Sequence, residues 1–323
     1  MQAVSVIATV LNEVENIPRL VDSLVRQVPP AAEVIVVDGG STDGTWEWLR
    51  EAAAQHPALR AIRDETCSLK FTPGPISKGR NVAIAASVSQ LIACADAGCT
   101  YAPNWLAQLA APLLSGEAEY ALGGASLDMN DPTVWDVAAA PFFGVKLDEA
   151  TPTKSCTARS MAFTKDLWQR LGGFPETVFF GEDTLFDLEA RQVAPPAFPR
   201  NAKALYRPRN SFLSACNQLA RYAVSDGILG VRWPRLFRNA ARCIAELAAV
   251  AALPWTWVPL AVVLVLVLHF AYEQDWLFTR TMKLQVLLAR LAFSIAVPWI
   301  ITANQVRGAL TKKSLVNSQN AGV

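Results

Sequence analysis

The stretch Glu33 to Thr45, EVIVVDGGSTDGT, constrains the fold more than any other part of the chain. Glu33 to Val37 is too short and too apolar for a surface helix and reads as a buried strand. It stops at Asp38-Gly39-Gly40, where glycine lets the backbone turn sharply or approach a ligand, and a helix begins near Thr45. Open α/β sheets place ligands outside the carboxyl ends of such strands. Asp38 could accept there from a base N–H, with the turn's backbone amides facing phosphate or ribose. Asp38 and Asp43 could equally form Asx-type turns and cap the helix.

The same rhythm repeats around it. Ala3 to Val10 reads as a first strand; Asn16 is placed to cap a helix with Pro18 in its first turn and Ile17, Leu20, Val21, Leu24 and Val25 on one face. Further strands are expected at Leu59–Arg63 and Gln90–Ala95, then a helix from Pro103 through Leu114. Beyond lie strands near Tyr120–Leu127 and Ser155–Thr164 and helices from Lys165 and Glu182. Alternating strands and helices predict an α/β layer on a mostly parallel sheet, here one domain over residues 1–225.

With 29 Lys+Arg against 28 Asp+Glu, the net charge of +1 gives no field to gather nucleic acid, and no nucleic-acid partner is expected. Six scattered cysteines without a CxxC pair, and only two histidines, argue against zinc and for a reducing compartment. The start MQAVSVIATV lacks a basic region before an apolar one, so no cleaved secretory signal is expected.

The apolar excess lies late in the chain. Residues 226–246 carry Arg232, Trp233, Arg235, Arg238 and Arg242 and read as a basic amphipathic interfacial segment. Leu247 to Phe270 has no charged residue and is long enough to cross a bilayer, which takes about 20 apolar residues. Val286 to Ala303, with Arg290 and Pro298, is a second candidate, so residues 247–304 are expected to form a membrane hairpin and 305–323 a basic tail. Arginines before the first run and Arg307, Lys312 and Lys313 after the second put both ends on the cytoplasmic side. The expected location is the inner (cytoplasmic) membrane, with the catalytic domain in the cytoplasm.

Other residues suited to chemistry are spread along the chain. LIACADAGC ends a strand at Asp96, fit for a divalent cation or a ribose hydroxyl. Lys78 and Arg80 of SKGRN stand near a helix start, unfavourable for the helix dipole unless an anion is close. Glu182 and Asp183 open a helix after glycine, where one carboxylate can raise the other's pKa and make a general base. In QLARY, Gln218 and Arg221 share one helical face.

Taken in order, VSVIATVLNEVENI, VIVVDGGSTDGT, SKGRNVAI, ADAGC and GGFPETVFFGED with QLARYAVSDG after it resemble the family 2 glycosyltransferases, of the bacterial membrane-anchored type, over Val4 to about Gly227. The resemblance implies an inverting enzyme with the GT-A fold that moves a sugar from a nucleotide sugar, UDP- or GDP-linked, to an acceptor hydroxyl. It implies that Thr9, Val10, Leu11, Glu13, Asp38 and Gly40 hold the nucleotide, with Arg80 lining the same pocket. Asp96 matches the first aspartate of the family's DxD, which touches ribose and a metal, Mn2+ or Mg2+; Asp183, beside Glu182, matches the catalytic base. Gln218, Arg221 and Tyr222 fall where processive members carry QxxRW, on the acceptor and pyrophosphate side.

Two departures bear on this. Gly98 replaces the second aspartate of the DxD, weakening the metal site, and Tyr222 replaces tryptophan, which argues for single transfer over processive synthesis. A membrane-bound active site suits a polyprenyl-phosphate or lipid-linked glycan acceptor, or a cell-surface or exopolysaccharide precursor, with membrane lipids as further partners. A catalytically silent membrane adaptor that keeps the sugar-nucleotide fold is the alternative that the lone carboxylate of ADAGC leaves open.

Overall fold

In the computed structural model, residues 3–130, 132–145, 157–208, 211–252, 261, 264 and 284–320 are described. The βα rhythm gives β1 (Val4–Val10), α1 (Ile17–Val25), β2 (Glu33–Asp38), α2 (Thr45–Gln55), β3 (Leu59–Arg63), α3 (Pro75–Ala86) and β4 (Leu91–Cys94). Of these strands β1, β2 and β4 are almost wholly buried apolar runs, as strands covered on both faces must be, whereas the edge strand β3, LRAIR, buries only Leu59 fully. After β4 come β5 (Cys99–Tyr101), α4 (Trp105–Leu114), β6 (Tyr120–Leu122), β7 (Gly124–Leu127) and α5 (Val134–Ala139). The chain continues through β8 (Met161–Thr164), α6 (Lys165–Arg170), α7 (Glu182–Val193), β9 (Lys203–Tyr206), α8 (Phe212–Leu229), α9 (Trp233–Ala252) and α10 (Leu284–Asn320).

The main sheet has the order β3-β2-β1-β4-β8-β6. Its first four strands are parallel, and β8 runs antiparallel between β4 and β6. Because the chain winds outward from β1 to β2 and β3 and then returns to the other side of β1 at β4, the order reverses there, which is where such sheets open a ligand crevice. Val10 pairs with Asp38, so β1 and β2 end level, whereas β4 ends at Cys94 opposite Ile7, three residues short of the end of β1, and Asp96 lies two residues beyond it. A smaller sheet, β5-β9-β7, completes the unit.

Three local expectations change. Asn16 occupies the cap position of α1 in a helical conformation and makes no capping bond; its amide donates to Glu13 Oε2 at 2.6 Å instead. The single strand expected near Tyr120–Leu127 divides at Gly123, β6 joining the main sheet and β7 the smaller one. A Cβ at Gly123 would fall 2.1 Å from the Ala202 carbonyl oxygen, a close approach open only to glycine. The second sheet as such has no signal in the sequence, because its strands are only three or four residues long.

The chain divides into two compact units, 1–128 with 144–207, and 129–143 with 208–323. The sequence predicts a boundary near 225; compactness puts α8 in the second unit together with the early helix α5. The first unit's core gathers Ile7, Ile35, Ile92, Tyr120, Phe163, Phe174 and Phe186, with Phe174 stacked on Phe186 at 4.4 Å. Within the second unit, Gln285–Lys312 is long and apolar enough to cross a membrane. Of the first expected span, residues 253–270 lie outside the described residues except 261 and 264.

Candidate active site

The two loops that leave β1 and β2 are tied together. The amide of Asn12 donates to Ser41 Oγ at 2.8 Å, that of Glu13 to Thr45 Oγ1 at 2.9 Å and that of Val14 to Asp43 Oδ2 at 3.1 Å; Thr42 N returns to Asn12 Oδ1 at 2.9 Å. Asn12 has φ of 56°, one of the few left-handed non-glycine residues, which turns the chain out of β1. Val10 is buried in the strand, Thr9 is half-buried, and Leu11 is exposed at the rim. Ser41 and Thr45, not singled out from sequence, are the pegs that hold this edge.

Asp38 is completely buried. Its Oδ1 accepts from the amides of Gly40, at 2.9 Å, and Ser41, at 3.0 Å, so the Asx turn forms. Those amides are therefore spent inside the protein and do not face a phosphate, contrary to one reading of the turn. The other oxygen, Oδ2, is buried and accepts nothing. An unmatched buried acceptor costs about 1–3 kcal/mol, a cost that an N–H from a ligand would offset. Gly40, at φ of 97°, makes the turn that leaves Oδ2 so placed.

Helix α3 brings the cation. Arg80 is buried, donating through Nη1 to Glu182 Oε1 at 2.5 Å and through Nη2 to Asp96 Oδ1 at 3.1 Å, with its guanidinium 5.4 Å from the Phe174 ring. It thus joins the loop after β4 to the start of α7. Gly79 lets α3 approach: a Cβ there would lie 2.7 Å from Thr9 Cγ2. The next residue, Asn81, uses its whole side chain. It donates to Phe174 O and Glu176 Oε1, each at 2.9 Å, and accepts from Trp168 Nε1 at 3.1 Å and Phe174 N at 2.9 Å. Asn81 fixes the GGFPE loop that delivers α7; it stands in the SKGRN motif, but its side-chain role is visible only once the loop is placed.

Burial pulls the Arg80 guanidinium's pKa down, but Glu182 and then Asp96 outweigh this and hold it above its ordinary range. Glu182 is pushed up to about 6 by burial, against the pull of Arg80 and with a further push from Asp183. Asp183 is half-buried; its Oδ2 accepts from Ala158 N at 3.1 Å and its Oδ1 from Thr184 N at 2.7 Å. The adjacent carboxylates therefore differ: one is locked inward on an arginine, the other is partly open to solvent and oriented by amides.

Asp96 is about one-third exposed, 36%, enough to leave it reachable by a ligand. Its amide donates to the Tyr101 hydroxyl at 2.9 Å, which donates in turn to Arg159 O at 2.8 Å. Tyr101 is another residue the motifs do not announce. Among the described residues no group of three or more His, Cys, Asp or Glu could hold a metal ion. With Gly98 beside the Tyr206 ring, Asp96 is the carboxylate that the ADAGC turn presents.

Gln218, Arg221 and Tyr222 belong to α8 and so to the second unit, where Gln218 Nε2 donates to the Tyr222 hydroxyl at 2.8 Å. Tyr222 packs edge-on against Phe143 at 6.2 Å. Arg221 is exposed.

The sequence model of glycosyl transferase family 2 matches residues 5–167. Among curated proteins, the chain is 26% identical over 185 residues to glycosyltransferase AglE of Haloferax volcanii, covering 56% of this chain and 58% of that protein. It is 38% identical over 106 residues to the succinoglycan biosynthesis protein ExoU of Rhizobium meliloti, 33% of this chain and 29% of that one. An undecaprenyl-phosphate mannosyltransferase of Micrococcus luteus matches at 35% over 66 residues, 20% of this chain and 26% of that one. The match thus spans less than two thirds of each relative. In fold, the chain is similar to the mannosyltransferase PcManGT from Pyrobaculum calidifontis in complex with GDP-Man and Mn2+. The TM-score is 0.64 at 20% identity, over 93% of this chain and 87% of that one.

Proposed function

The chain belongs to glycosyl transferase family 2 and is a glycosyltransferase of GT-A fold, and from that premise we propose an inverting transfer from a nucleotide sugar to a lipid-linked acceptor. The observation that carries the reading is the Arg80 bridge: one buried guanidinium holds Asp96 at the end of β4 and Glu182 at the start of α7. Asp38 Oδ2 waits unmatched two strands away, about 10 Å across the sheet edge at ordinary strand spacing. That is the reach of a nucleoside diphosphate, its base on Asp38 and its diphosphate toward Asp96. Thr9, Val10, Leu11, Glu13 and Gly40 frame the nucleotide end.

In the reaction, the acceptor oxygen attacks the anomeric carbon as its bond to the diphosphate oxygen breaks. On a hydroxyl acceptor Asp183 takes the proton, whereas a phosphate acceptor attacks through an oxygen already ionised and needs no base; in either case the electron pair of the broken bond leaves with the nucleoside diphosphate. One displacement inverts the configuration. Glu182 keeps Arg80 in place rather than touching substrate. A divalent cation, Mn2+ or Mg2+, fits as one held by Asp96 and mostly by the donor's own diphosphate and water, since Mg2+ commonly binds through one or two carboxylates plus substrate phosphates; it would neutralise leaving-group charge. Gln218, Arg221 and Tyr222 are assigned to the acceptor side.

An undecaprenyl-phosphate mannosyltransferase among the relatives and a structural neighbour in complex with GDP-Man support a polyprenyl-phosphate acceptor and a GDP- or UDP-sugar donor. The flanking arginines support a catalytic unit on the cytoplasmic face of the inner membrane. The test is release of nucleoside diphosphate from a panel of UDP- and GDP-sugars by the detergent-purified chain, with polyprenyl phosphate or a short water-soluble acceptor, with Mn2+, Mg2+ or chelator. Product anomers are read by NMR. Equal rates on both acceptors would refute the lipid-linked assignment, and a retained anomer would refute the single displacement.

A further inference from the structure

Helix α10 is inside-out. Its side chains Arg290, Ser294 and Gln305 are among its most buried, at 0%, 1% and 0% exposure, alongside Phe293, Val297 and Ile301. Arg290 donates through Nε and Nη2 to Val137 O, and Gln305 donates to Val231 O at 2.9 Å. The outward face from Leu288 to Leu310 exposes the apolar Leu288, Ala292, Ile295, Trp299, Ala303, Val306 and Leu310, with Arg307 the one charged residue among them. At 1.5 Å per residue that stripe is about 33 Å long. A helix whose polar groups face protein and whose apolar groups face outward has a nonpolar surrounding on that side.

Helix α9 continues this surface. It runs antiparallel beside α10, with Cys243 3.9 Å from Thr302 and Trp299 Nε1 donating to Glu246 at 2.7 Å. Trp233, Phe237, Ile244, Leu247 and Val250 are all exposed. Trp299 of one stripe thus reaches the neighbour of Leu247 on the other. Among the described residues Arg238 and Arg307, both exposed, have no ion-pair partner, as suits contact with anionic headgroups.

Length and composition alone would let α10 cross a bilayer, but its neighbour in the unit argues against it. Helix α8 lies along α10 for its whole length, from Phe212 against Phe293 at 4.8 Å to Gly227, whose Cβ would fall 2.0 Å from Gln305 O. Helix α8 exposes Asn217 and Arg221 and carries Asp226, paired with Arg232 and Arg235. A crossing α10 would drag these groups through the hydrocarbon, at about 2.5–3.5 kcal/mol for each charge near the centre even on the lenient scale. A helix lying in the surface plane, stripe down and α8 on the water side, incurs no such cost.

We propose that α9 and α10 form a platform lying flat in one leaflet of a bilayer, docking the second unit on the lipid surface without α10 crossing it. This stands apart from the glycosyl-transfer reading. The test places single nitroxide labels at Leu288→Cys, Trp299→Cys and Leu310→Cys on α10 and at Phe237→Cys on α9, in the full chain with Cys156→Ser. The other five cysteines are buried. The chain is reconstituted in phosphatidylcholine vesicles containing one third phosphatidylglycerol, and collision with oxygen and with a water-soluble nickel chelate gives each label's depth. Similar shallow depths at all four positions, within about 5–10 Å of the headgroup boundary, are expected. A depth that passes through the bilayer centre near Trp299 and returns by Leu310 overturns the proposal in favour of a span. Labels open to the chelate, or shielded from both reagents as in a contact between two copies, overturn it as well.

Discussion

Glu182 and Asp183 are neighbours in sequence and opposites in circumstance. Glu182 is buried on Arg80, whereas Asp183 is partly open and held by the amides of Ala158 and Thr184. Asp183→Asn keeps a similar shape and one amide acceptor, so the fold should survive while the rate of transfer to a hydroxyl acceptor drops about 10²–10⁴-fold, the range for loss of a general base. Near-normal turnover with an unchanged melting temperature would move the base elsewhere. Glu182 makes a different prediction. Its pKa is raised from 4.5 to about 6 in the folded chain, so between those values the folded state binds more protons than the unfolded one. Stability from this group therefore falls as pH rises through that window. The unfolding free energy of the parent relative to that of Glu182→Gln, followed from pH 4 to 7 by urea titration, should fall across it, because Gln stays neutral throughout; a flat difference contradicts the shift. Arg80→Met leaves a buried carboxylate unpaired and should destabilise by about 3–5 kcal/mol, read in the same titration.

At the scale of elements, the site depends on how closely α3 lies on β1. A methyl group at Gly79 would meet Thr9 Cγ2 at 2.7 Å, and α3 carries Arg80 and Asn81. Gly79→Ala should therefore cost about 1–3 kcal/mol, the usual cost of overpacking, and lower donor affinity by moving Arg80. Adding Thr9→Ser removes the offending methyl and should restore part of both, a non-additivity that a double-mutant cycle measures by thermal shift and by nucleotide binding. Additive effects would show that the contact is not the cause. This closeness also marks the limit of what the sequence reveals. The strands β1, β2 and β4 were legible because a buried parallel strand is a short apolar run, and Asp38 and Asp96 were legible because they end or closely follow such runs. The division at Gly123 and the strands β5, β7 and β9 were not, because three or four residues carry no period and a glycine's close approach is invisible until both partners are placed. Arg80 was found as a cation near a helix start; that it also reaches Glu182 depends on a contact across a sequence separation of 102, as Asn81's grip on the GGFPE loop depends on one of 93.

At the scale of the whole molecule, the second unit is discontinuous, and its early segment, 129–143, is made long before the rest. Helix α5 is six residues long with a capping box between Thr133 and Asp136, too short to persist unaided. Its partners arrive late: Trp135 meets Phe212 at 5.9 Å and Phe293 at 6.2 Å, and Val137 O receives the Arg290 guanidinium. The dependence runs both ways, because Arg290 is fully buried and Val137 O is the acceptor that its Nε and Nη2 use. A fragment comprising 208–323 alone would leave that guanidinium short of its acceptor and the Phe212–Phe293 pair without Trp135, a loss of about 1–3 kcal/mol for the polar group before the aromatic packing is counted. In detergent such a fragment should melt without a sharp transition. The same fragment with 129–143 fused ahead of it should recover cooperative melting, and the fusion bearing Trp135→Ala should recover less. If 208–323 melts as sharply alone as with the segment attached, α5 is a passenger on the second unit and its stability rests on α8, α9 and α10.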